Sequence, residues 1–134
     1  MSVFMDMEAA LQSKLDSITG HPKIHWENDD VYTPVYETRF WRPTNLPIRS
    51  ELATAGALQK HQGIYQIDVF VEPEQGVAQL MTDLDLIYEA FNTTESLVMN
   101  ATKVNILSVG RGRVDREEAW CKGFIEIYYM CYSH

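Results

Sequence analysis

Cysteine is scarce in this chain, with two residues in 134. Cys121 and Cys131 stand ten positions apart in a segment that alternates as one strand. At about 3.3 Å per residue their α-carbons lie roughly 33 Å apart, so no bridge can join them within an unbroken strand. They are expected as buried free thiols. Basic residues are also few: 11 Lys and Arg face 19 Asp and Glu, for a formal net charge of -8. That excludes a surface built to clamp phosphates, which needs clustered cations. It suits a protein that stays soluble and does not stick to DNA passing nearby. No apolar run approaches the roughly 20 residues that span a bilayer, so no membrane partner is expected. The first residues lack the basic stretch and apolar core of a secretory signal, which points to a cytosolic chain.

Chemical motifs are missing as well. There is no Gly-rich phosphate loop, no Cys-x-x-Cys pair and no His-Glu-x-x-His helix. His21 and His25 have the spacing of two ligands on one helix face, but Pro22 sits between them and the surroundings read as loop and strand. His61 and His134 are isolated. The basic Arg111-Gly-Arg113 is neutralised by Asp115, Glu117 and Glu118 and reads as a solvated turn. No catalytic, cofactor-binding or metal-ligating residue is assigned, and the chain is not expected to be an enzyme.

What is present is a patterned core. Hydrophobic residues make up 46% and charged residues 22% of the chain, enough to fold and about the size of a single domain, residues 1–134. The clearest segment is Gly63 to Pro73. Tyr65, Ile67, Val69 and Val71 alternate with Gln66, Asp68 and Phe70, the period of a half-buried strand. Phe4, Met7, Leu11, Leu15 and Ile18 form one helical stripe, with Gly20 and Pro22 as its stop. Val77, Leu80, Leu84, Ile87 and Phe91 form a second, leaving Asp83, Asp85 and Glu89 to solvent.

Further strands are expected at Lys23 to Trp26, at Tyr32 to Arg42 where Pro43 ends the run, at Val104 to Val109, and at Trp120 to Tyr132. The last two should pair as an antiparallel hairpin. Residues 44–62 show no convincing period and read as one long polar loop, a surface hairpin or an arm that orders against a neighbour. The fold class is α+β: an antiparallel or mixed sheet of about four to five strands with two helices packed on one face. In the final strand Phe124, Tyr128, Met130 and Tyr132 alternate with Ile125, Ile127, Tyr129 and Cys131. Both faces are apolar, one meets the helices, and the other calls for self-association.

Several strings together resemble a known family. They are the N-terminal helix, His25-Trp-Glu-Asn28 followed by Tyr32-Thr-Pro34, Trp41-Arg-Pro43, and the strand Gly63-Ile-Tyr-Gln-Ile-Asp-Val-Phe-Val71. A helix carrying Ala78 and Leu84 and two closing strands complete the order. Over nearly its whole length the chain resembles the tail terminator, or tail completion, proteins of long-tailed bacteriophages. The resemblance implies a structural virion protein, assembled in the host cytoplasm and placed at the tail–head junction. It would cap the tail tube as a hexameric ring, end tail polymerisation and form the surface to which the head attaches. Its partners would be further copies of itself, the tail tube protein and a head–tail connector protein, with DNA passing through the ring unbound. It implies no cofactor.

The loop at 44–62 with Arg49 and Glu51, together with Arg39, Arg42 and Asp68, supplies candidate subunit contacts. The loop lacks the dense glycine that some members of the resembled family carry there. Two other readings stay open, a different head-to-tail joining or neck protein and a small cytosolic ligand-binding α+β domain.

Overall fold

Apolar residues at three- and four-residue steps set the two helices. Helix α1, Val3–Asp16, buries Met7, Ala10, Leu11 and Leu15. Helix α2, Gly76–Phe91, follows a single 3-10 turn at Pro73–Gln75 and buries Leu80, Leu84, Ile87 and Phe91. Proline at the start of that turn is favoured because its missing N–H would have had no helical partner there. The computed structural model describes residues 3–26, 38–52, 59–93, 95–117 and 120–133, and of Arg49, Glu51, Leu52, Gln75, Glu117 and Ser133 the backbone alone.

The strands are β1 (Lys23–Ile24), β2 (Arg39–Leu52), β3 (Gln59–Val71), β4 (Leu97–Met99), β5 (Thr102–Arg111), β6 (Asp115–Glu117) and β7 (Trp120–Ser133). They form one sheet in the order β1-β2-β3-β7-β5-β4, with β6 pairing to the start of β7. Among the described residues β1 and β2 pair in parallel and the other pairings are antiparallel. The α+β class and the mixed sheet stand, but seven strands replace the expected four to five. The short β4 and β6 carry too few residues to show a period. The turn expected at Arg111–Arg113 begins one residue later, since Arg111 still pairs with Ile125 of β7.

The largest correction concerns residues 44–62. Strand β2 runs to Leu52 and β3 begins at Gln59, so most of the expected loop is a two-stranded arm, paired from Thr44↔Gln66 to Leu52↔Gln59. Residues 53–58 lie outside the described residues, as does the 32–37 part of the expected strand ending at Arg42. Pro43 does not end the strand, for a reason the register supplies. The Trp41 carbonyl accepts a hydrogen bond from the His25 amide at 2.8 Å, on the β1 side. Backbone direction alternates along a strand, so Pro43 and Pro47 turn their nitrogens to the same outer edge. No ladder bond is lost there, which is where a strand tolerates proline. A bulge at Ile48, between Pro47 and Arg49, then reverses the alternation and hides it from a period search.

Both helices pack on the face carrying Trp41, Tyr65, Ile67, Val69, Ile125 and Ile127, all buried. Each such large side chain contributes about 1.5–3 kcal/mol by leaving water. Asp6 ties α1 to the β4–β5 turn, accepting hydrogen bonds from Asn100 Nδ2 at 2.9 Å and Thr102 Oγ1 at 3.3 Å. Cys121 and Cys131 are free thiols on β7. Burial pushes the Cys131 thiol up.

Candidate functional site

The helices do not cover the whole inner face. Where β2 and β3 pass the start of α1, the sheet is left open as a cleft of about 510 Å³. Its floor is Asn45, Pro47, Ser50, His61, Gln62 and Tyr129, and its wall is Phe4, Met5, Met7 and Glu8 of α1. Bulged Ile48 closes the rim. Phe4, Met5 and Ile48 stay 55%, 65% and 55% exposed, a cluster of apolar side chains that the described fold covers only in part.

The floor is built by one long reach. Tyr129 on β7 stands opposite Gly63 on β3. Its ring crosses Gly63, and its hydroxyl donates to Asn45 Oδ1 on β2 at 2.5 Å. A side chain at position 63 would fall inside that ring, so the glycine that begins the Gly63–Val71 string is needed for close approach. Burial, with the nearby Glu8 charge adding to it, pushes the Tyr129 phenol up to about 12 against the lowering effect of the Asn45 bond. Across the arm Ser50 Oγ and His61 Nδ1 meet at 2.6 Å, and the His61 ring packs edge-on to Phe4 at 5.1 Å.

The other face of the sheet was expected to be apolar and open. In part it covers itself. Phe40 and Phe70 stack at 4.6 Å, Trp120 stands edge-on to Phe40 at 5.1 Å, and His25 packs edge-on to Phe40 at 4.9 Å. Arg42 and Lys122 lie over the Phe70 ring at 4.8 and 5.5 Å. Toward the arm the face opens, leaving Leu46, Tyr128 and Tyr132 exposed.

The charges singled out in the sequence fall into three places. Arg42 pairs with buried Asp68 at 3.6 Å, and Gln66 donates to the same carboxylate at 3.0 Å. Arg39 lies at 3.7 Å from Asp83 and donates to the Gly20 carbonyl at 2.5 Å. The backbones of Arg49 and Glu51 sit in the arm opposite Gln62 and Lys60. Asp83 itself, expected in solvent, is fully buried. It accepts from Trp41 Nε1 at 3.2 Å and from Gln79 Nε2 at 2.9 Å. The signal was available: position 83 lies three after Leu80 and four before Ile87, within the apolar stripe.

Among the described residues no three His, Cys, Asp or Glu side chains gather to hold a metal, and no helix is long and apolar enough to cross a membrane. The profile of the family described as phage tail terminator protein matches residues 6–128. The chain belongs to the phage tail terminator family. This terminator is therefore a structural component of a phage tail, a part of the virion that meets other tail or head proteins. A solved structure that carries no functional description superposes with a TM-score of 0.74, covering 100% of this chain and 98% of the other. At 19% identity it shares the fold. No curated protein matches.

Proposed function

We propose that the terminator closes the tail tube as a hexameric ring, stops addition of further tube subunits and presents the surface to which the filled head attaches. The carrying observation is the family match over residues 6–128. The fold supports self-association in two places, the cleft beside α1 and the open half of the outer sheet face. A single copy leaves Phe4, Met5, Ile48 and Tyr132 about half exposed, and burying such side chains drives stable association. The net charge of -8 lets DNA slide through the ring without being held.

The site sits at the tail–head junction of the virion, with the tube protein on one side and a connector protein on the other. The test is light scattering at rising concentration, followed by electron microscopy with purified tail tubes. Rings with a central hole on tube ends are expected. A chain that stays monomeric and leaves tube ends bare at high concentration would refute the reading.

A further inference from the structure

The methionines are unequally placed. Six occur in the chain. Met7 and Met130 are buried. Met81 and Met99 are partly buried against the core, and the Met81 sulfur accepts a hydrogen bond from Arg111 Nη2 at 2.8 Å. Met5, in the first turn of α1, is 65% exposed, more than any other large apolar side chain among the described residues.

Access decides which sulfur an oxidant reaches. With hydrogen peroxide, a thioether lone pair attacks one peroxide oxygen, and the O–O bond breaks as the S–O bond forms. The proton of the transferred oxygen moves to the departing hydroxide, which leaves as water. The thioether loses two electrons to become a sulfoxide, and the peroxide gains them. Burial keeps the reagent from Met7 and Met130, and the Arg111 donor occupies the lone pair of Met81. Cys131 does not compete, because it is fully buried and reactivity belongs to exposed thiolates.

We propose that Met5 is an oxidation site, at which peroxide turns the rim of the cleft from apolar to polar and withdraws the copy from assembly. The sulfoxide oxygen is a hydrogen-bond acceptor, and a neighbour seated on the rim would bury it without a donor. The effect on assembly rests on the ring reading; the oxidation does not. The experiment treats the full chain, carrying Cys121→Ser so that the half-buried thiol takes up no reagent, with hydrogen peroxide. Peptide mass spectrometry, with fragmentation that separates Met5 from Met1 and Met7, then locates the sulfoxide. Met5 should react at least about tenfold faster than Met7 or Met130. Light scattering and tube capping should show association weakened about tenfold, and methionine sulfoxide reductases should restore it. The Met5→Leu chain should hold whatever association it starts with through the same treatment.

Sulfoxide appearing at Met7, Met81, Met99 or Met130 as fast as at Met5 would overturn the site. Full oxidation of Met5 with association unchanged would overturn its effect on assembly and leave the ring standing. A loss of association that the reductases do not reverse, or that Met5→Leu suffers equally, would do the same. An untreated chain that never associates, in solution or on tubes, would take the ring reading down, while the mass spectra would still decide the site.

Discussion

Replacing Gly63 by alanine tests whether one aromatic reach holds the arm to the rest of the sheet. The new Cβ would occupy the Tyr129 ring, and the ring cannot stay while its hydroxyl bonds Asn45. Overpacking of this kind costs about 1–3 kcal/mol. Losing the Tyr129–Asn45 hydrogen bond adds about 1 kcal/mol. Alanine returns about 0.4–1 kcal/mol by restricting the unfolded chain. The net destabilisation is about 1–3.5 kcal/mol, a large share of the roughly 5–15 kcal/mol that holds a domain together.

In urea melts followed by tryptophan fluorescence, with a slope of about 1.5 kcal/mol per molar, the midpoint should fall by about 0.7–2.3 M. Tyr129→Ala should destabilise by itself, and the double variant should lose at least about 1 kcal/mol less than the two losses combined, because the clash is gone. A midpoint shift under about 0.3 M for Gly63→Ala, or strict additivity, would refute the reasoning.

Three further outcomes follow from closely packed groups. Asp83→Ala leaves the buried Trp41 indole N–H without its acceptor and should cost about 1–3 kcal/mol in the same melts, where a surface carboxylate would cost almost nothing. Gly112→Ala drives a Cβ into the Phe124 ring and should destabilise by about 1–3 kcal/mol, a loss that Phe124→Ala in the same chain should largely relieve. Tyr129 ionises near pH 12 in the fold against an ordinary 10.0. Its raised pKa means that the stability it lends is complete below pH 10 and drains away as pH climbs toward 12. Ultraviolet titration should lose a step near pH 12 in Tyr129→Phe, and that variant should lack this alkaline decline in stability.

Periodicity made the helices and the central strands legible. Met7, Leu11 and Leu15 in α1, and Leu80, Leu84, Ile87 and Phe91 in α2, lie on the stripes that spacing predicts and are buried. Tyr65, Ile67, Val69 and Val71 face the core as alternation requires. The exceptions sit at helix starts, where Phe4 and Val77 fit the stripes yet stay exposed. The arm was hidden for local reasons: two prolines that normally end strands, and a bulge that breaks the period at Ile48. The cleft was beyond sequence reasoning, since it joins residues 4–8, 45–50, 61–62 and 129, brought together only by the sheet order. The candidate charges were noticeable as charges, but Arg42 and Asp68 are a pair within one subunit, a register fact that composition does not carry.

The place of β7 has a consequence for timing. It lies between β3 and β5 in the sheet, yet it is translated after both. Until residues 120–133 have emerged, β3 lacks one neighbour along Gln59–Val71 and β5 lacks the strand that joins it to the rest. Pairings this distant in sequence form slowly and late. A nascent chain therefore exposes two open strand edges on the ribosome, and the cleft floor is finished only when Tyr129 swings across Gly63. A chain in which this strand has not paired lacks the Tyr129 part of the cleft floor.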